Sequence, residues 1–108
     1  MTLLLLTLFF FFIDIGEKTD LREAVVTEGQ LLEISHDVGS QWKTLGRSLG
    51  FREEQIHILN KEDNSVFEKA STILFTWSQN MEKYATVGLL VDCLRKVELG
   101  SVAEKLLG

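Results

Sequence analysis

Ile34-Ser35-His36-Asp37-Val38-Gly39-Ser40-Gln41-Trp42-Lys43-Thr44-Leu45-Gly46-Arg47-Ser48-Leu49-Gly50-Phe51 is the stretch on which the fold turns. Trp42, Leu45 and Leu49 recur at i, i+3 and i+7, the spacing of one apolar stripe on an α-helix, while Lys43 and Arg47, four apart, share another face. A buried seam and a basic stripe therefore occupy the same two turns. Gly39 and Gly50 bracket the segment where glycine most cheaply takes the left-handed conformation that ends a helix, and Ser40 is placed to cap the next one. The stretch predicts a short, sharply bounded helix.

The same periodicity continues on both sides. Upstream, Asp20 stands three residues before Glu23 at the head of a short apolar set, Leu21, Ala24 and Val25, enough for a turn or two of helix. Thr27 and Gln30 then precede Leu31, Ile34 and Val38 on one face, the first full helix. Downstream, Arg52 to Lys61 carries Ile56 and Leu59, with Glu53 and Glu54 in the first turn where the helix dipole favours them. Ser65-x-x-Glu68 is a capping box opening the longest periodic segment, Val66, Ala70, Ile73, Leu74, Trp77 and Met81, expected to run to about Lys83. Ala85-Thr86 leads into Leu89, Leu90, Leu94 and Val97, and Ser101-x-x-Glu104 heads Val102, Ala103, Leu106 and Leu107. Short amphipathic helices joined by loops of a few residues describe an all-α antiparallel bundle.

The 108 residues, 45% of them hydrophobic, suit one domain with a proper core, and the chain has no proline. Residues 1–19 read as an apolar N-terminal segment with a polar linker, and 20–108 as the domain. Within the first part, Leu3 to Ile13 is interrupted only by Thr7. As a helix it spans about 16 Å against the ~30 Å of a bilayer core, so it does not cross alone. Its length fits the apolar region of a signal peptide, yet Met1-Thr2 carries no lysine or arginine and no small-residue cleavage site follows. One reading these residues leave open is a membrane-anchored or secreted small helical protein using residues 1–15 as a targeting segment. Phe75, some 140° around the helix from Ala70, lies off the buried stripe at ~100° per residue. An added apolar contact is expected there, with Leu3 to Ile13 as its source.

Eleven basic against sixteen acidic side chains give a net charge of −5, a balance that repels the phosphate backbone of nucleic acid. One cysteine, Cys93, forms no intrachain disulfide, which points to a reducing, cytoplasmic setting. Two histidines, His36 and His57, on different helices lack metal-ligand spacing, and no glycine-rich phosphate loop exists. No metal, cofactor, small-molecule substrate or catalytic residue is expected, and the chain does not read as an enzyme. Trp42 and Trp77 sit in helical apolar stripes and read as core. What remains is surface charge: Glu28, Glu33 and Asp37 make the first helix acidic, with Glu33 and Asp37 mildly repelling, and Lys43 and Arg47 make the second basic.

The ordered set Val38-Gly39-x-x-Trp42-Lys43-x-Leu45-Gly46-Arg47-x-Leu49-Gly50, then Gln55-Ile56, Trp77, Ala85-Thr86 and Leu90-x-x-x-Leu94, resembles a death domain from about Thr27 to Gly108. Among these domains it is most similar to that of the Fas-associated adaptor, followed by those of netrin receptors and ankyrins. The resemblance implies a six-helix death fold and a non-enzymatic adaptor that binds other death-domain proteins, self-association included, in apoptotic or innate immune signalling. It implies Lys43 and Arg47 as the basic partner-binding positions, Glu33 and Asp37 as the acidic counterpart, and Glu98 and Ser101 as further contacts near the fifth-to-sixth loop. Were the chain complete, the absence of a death-effector domain ahead of it would leave it unable to recruit a caspase as the full adaptor does.

Overall fold

A computed structural model describes residues 21–108. Among these residues six α-helices follow one another: α1 (Glu28–Val38), α2 (Trp42–Ser48), α3 (Glu53–Asn60), α4 (Val66–Met81), α5 (Val87–Lys96) and α6 (Gly100–Leu107). Single 3-10 turns lie at Leu21–Glu23, Gly39–Gln41 and Glu82–Tyr84. The expected six-helix antiparallel bundle is the architecture found.

Four helix starts are set by side chains that satisfy otherwise unpaired amides, that of α3 through Gln55 Oε1, which accepts from the Arg52 amide at 2.7 Å. Thr27 Oγ1 accepts from the Gln30 amide while Gln30 Oε1 accepts from the Thr27 amide, and Ser65 and Glu68 form the same reciprocal box on α4. Thr86 caps α5 by accepting from the Leu89 amide. Two expected caps are not used. Ser40 falls inside the 3-10 turn that joins α1 to α2, so Gln41 precedes α2 without a side-chain cap. Ser101 lies inside α6, which starts one residue earlier at Gly100, and Glu104 is drawn away to Arg95 at 3.2 Å. Helix α4 ends at Met81 rather than Lys83, because Glu82 takes a φ of +53°. Gly39 and Gly50 have φ of +44° and +100°, so both bracketing glycines sit in backbone that other residues adopt only with strain.

The core gathers the predicted stripes: Leu31, Ile34 and Val38 of α1, Trp42 and Leu45 of α2, Ile56 and Leu59 of α3, Ala70, Ile73, Leu74 and Trp77 of α4. Helices α5 and α6 complete it with Val87, Leu90, Val91, Leu94, Val102, Ala103 and Leu106. Helix α1 packs on α4 and α6, α5 on α6 and α2, and α2 on α3 and α4. Gly46 permits the last of these approaches: a Cβ there would come within 3.2 Å of Ile73 Cδ1 and 3.5 Å of Ile56 Cδ1.

Several apolar residues behave differently from expectation. Val66, the first residue of α4, is exposed, and Leu89 of α5 is exposed as well. Leu21 and Val25 are also exposed. Their segment is held instead by polar and backbone contacts: an isolated bridge pairs Val25 with Thr86, and Arg22 reaches Asp92 on α5 at 3.2 Å. Phe75 is half-buried and packs against the bundle's own core. The contact expected for it from Leu3 to Ile13 lies outside the described residues.

Candidate partner-binding surface

The basic stripe of α2 opens onto a shallow depression of about 170 Å³ lined by Lys43, Arg47, Glu53, Ile56, His57 and Asn60. Two helices build it. Lys43 and Arg47 project from consecutive turns of α2, and the turn through Gly50 brings the start of α3 back alongside, so that Glu53 faces Arg47. Arg47 Nε donates to Glu53 Oε2 at 2.5 Å and Nη2 donates to Oε1 at 3.3 Å. The hydrogen bond from Arg47 holds the Glu53 carboxyl below its usual range, and the same bond holds the guanidinium above its own. Lys43 is half-buried, with its ammonium 5.8 Å from the centroid of the Trp42 ring.

Beneath this face lies a polar contact that sequence patterning does not reveal. Lys69 of α4 is only 9% exposed, yet it stands among the apolar positions of the bundle. Its Nζ donates to the Asn60 carbonyl at 3.2 Å and lies 5.9 Å from the Trp42 ring, so α4, the end of α3 and the start of α2 are tied at one point. A buried ammonium is tolerated where such partners replace water.

The acidic positions lie elsewhere. Glu33 and Asp37 are exposed on α1, and Asp37 accepts from Lys105 Nζ of α6 at 2.9 Å. That hydrogen bond, with a further contribution from Glu33, keeps the Lys105 ammonium above its usual range. Lys105 thereby relieves the expected repulsion between the two acids. Asp37, Ser101, Leu99, Val102 and Lys105 line a second depression of about 200 Å³, so Ser101 is brought beside the acidic face. Glu98 is not among its lining residues: it is exposed on the α5–α6 connection with a φ of +65°. The structure therefore unites Lys43 with Arg47 and Asp37 with Ser101, and sets the two groups on different faces. Glu53 and Lys105, the counter-ions of the two faces, are the residues that sequence reading misses. Glu53 had a signal only as a helix-dipole acid, and Lys105 had none.

The remaining chemistry-bearing side chains are scattered. His36 on α1 stacks on Phe67 with ring centroids 4.1 Å apart, His57 lines the α2–α3 depression, and Cys93 is half-buried on α5, where its carbonyl accepts from the Ser48 hydroxyl. Among the described residues, no helix is long and apolar enough to cross a membrane.

The Arg47–Glu53 pair makes a pH dependence expected. With its folded-state value depressed, Glu53 contributes stability above its ordinary value of 4.5, and loses that contribution as pH falls through the lower folded value. Arg47→Gln removes the pair, so the melting temperatures of parent and variant should converge as pH is lowered from ~6 to ~3. A thermal melt series checks this, and a constant gap contradicts it.

Comparison with known proteins agrees with this architecture. A family model described as the death domain matches residues 29–108. The chain is 30% identical over 89 residues to the FAS-associated death domain protein of Bos taurus, a match covering 82% of this chain and 40% of that protein. It is 26% identical over 92 residues to THO complex subunit 1 of Homo sapiens, and equally to that of Mus musculus, covering 84% of this chain and 14% of those proteins. The chain thus spans less than half the length of each of these relatives. With the family model matching residues 29–108 and both tryptophans buried in the bundle, the chain belongs to the death-domain family, a family of protein-interaction modules.

Proposed function

We propose that this domain, residues 20–108, is a non-enzymatic adaptor that associates with other death domains, copies of itself included, in apoptotic or innate immune signal transduction in the cytoplasm. The observation that carries the reading is the separation of opposite charge: Lys43 and Arg47 line one face, and Glu33 and Asp37 lie on another. A surface patch meeting a different patch on the next molecule forms a head-to-tail contact, which propagates instead of closing as a two-fold dimer does. Complementary faces of this kind steer encounter and fix register more than they add raw affinity. Ser101, beside Asp37, and Glu98, on the α5–α6 connection, are proposed as a subsidiary contact. The likeness to the FAS-associated protein supports the signalling role, and the likeness to a THO complex subunit supports assembly within a larger complex.

The test is the double variant Lys43→Glu with Arg47→Glu. Both side chains are at least partly solvated, so the helical circular dichroism spectrum should be unchanged and the melting temperature should move by less than about 4 °C. Association in sedimentation or pull-down assays should be lost, because two reversals change the face by four units of charge. A stable double variant that still associates removes this face from the interface.

A further inference from the structure

The basic depression already contains an acid of the chain's own. Glu53, the first residue of α3, meets Arg47 with both carboxylate oxygens, at 2.5 Å and 3.3 Å. A guanidinium offers such a two-pronged edge to one carboxylate at a time. An incoming carboxylate must therefore displace Glu53 or use the remaining donors. Lys43 lines the same depression and has, among the described residues, the Trp42 ring rather than a carboxylate as its neighbour. The face consequently presents Lys43 as an available cation, Arg47 as an engaged one and Glu53 as a competing anion.

We infer that Glu53 is an internal competitor for the acidic partner at the α2–α3 depression, so that this face selects a surface bearing two neighbouring carboxylates over one bearing a single acid. This deepens the homotypic reading proposed above and rests on it. A lone carboxylate is served by Lys43 and gains nothing by evicting Glu53. A pair four residues apart on a helix engages Lys43 with one group and competes for Arg47 with the other. Glu33 and Asp37 of a second copy have that spacing on α1. Asp37 is itself held by Lys105 at 2.9 Å, so each face carries an internal counter-ion that has to yield as two copies meet. The arrangement keeps an isolated domain from sticking to arbitrary acids and makes association depend on clustered charge, a selectivity built from like-charge exclusion.

The experiment is sedimentation velocity on the full chain at low ionic strength, where screening is weakest. Glu53→Gln keeps the shape of the side chain and releases Arg47, and it should tighten self-association roughly two- to fivefold, the range available from one exposed ion pair. Glu54→Gln is the control for net charge: Glu54 is on the same helix, pairs with Arg52 at 3.6 Å and does not line the depression. It should give no comparable gain. Adding Arg47→Gln to Glu53→Gln should abolish the gain. Glu53→Gln associating no better than the parent, or no better than Glu54→Gln, overturns the proposal. Should Lys43→Glu with Arg47→Glu abolish parental association while Glu53→Gln brings no gain, the face stands and the competitor role falls. If the double reversal also leaves association intact, the reading of the face falls with it.

Discussion

Replacing Trp42 with alanine is expected to unfold the domain or leave it barely folded. The indole is 3% exposed at the first turn of α2, within a core shared by α1, α3 and α4. Truncating a buried aromatic costs ~3 to 5 kcal/mol, against a total stability of ~5 to 15 kcal/mol for a domain of this kind. The loss is aggravated here because Lys69, itself nearly buried, stands 5.9 Å from the ring and would face a void where it now has an aromatic surface. Trp77, 4% exposed on α4, should behave alike when truncated. Urea denaturation followed by far-ultraviolet circular dichroism measures the effect. A midpoint near the parent's would mean that the indole contributes little to the core.

The second large effect is a contrast between two aliphatic truncations. Leu74 has no exposed surface at the centre of α4, whereas Ile58 on α3 is 62% exposed. Leu74→Ala removes buried carbon and leaves a cavity, which costs ~2 to 5 kcal/mol, while Ile58→Ala should fall within ~0.5 kcal/mol of the parent. The sequence offers no such distinction by residue type, so the pair tests where the bundle places its apolar positions. Equal losses from the two substitutions would contradict the burial pattern.

Most of the helical framework was legible before the structure because local physics sets it. Periodic apolar residues and the Thr27–Gln30 and Ser65–Glu68 boxes fix helix faces and starts within a few residues. Where local signals misled, a neighbouring element had taken over the groups concerned. Ser40 was absorbed into a 3-10 turn, and Glu104, the expected partner of Ser101, went to Arg95. Val66 fits the stripe of α4 by spacing but lies at the helix end, where periodicity says nothing of how far the partner helices extend. At the candidate face, Lys43 and Arg47 were legible as an i, i+4 pair. Their chemical state was not: the ion pair of Arg47 with Glu53 forms around a turn, and that of Asp37 with Lys105 joins residues 68 apart. Such contacts depend on how the helices are placed, which no local pattern encodes. Lys69 is the extreme case, a charged residue only 9% exposed that the spacing of the α4 stripe does not pick out.

In the proposed assembly the basic α2 face of one molecule meets the acidic α1 face of another. Mixing two variants tests it: Lys43→Glu with Arg47→Glu in one chain, and Glu33→Lys with Asp37→Lys in the other. Each variant alone should fail to self-associate, since each then presents two faces of like sign. Mixed, the acidic α2 face of the first and the basic α1 face of the second are complementary again, and sedimentation velocity should show hetero-association at a level approaching that of the parent. A mixture that stays monomeric, with both chains folded, would contradict the pairing of these two faces.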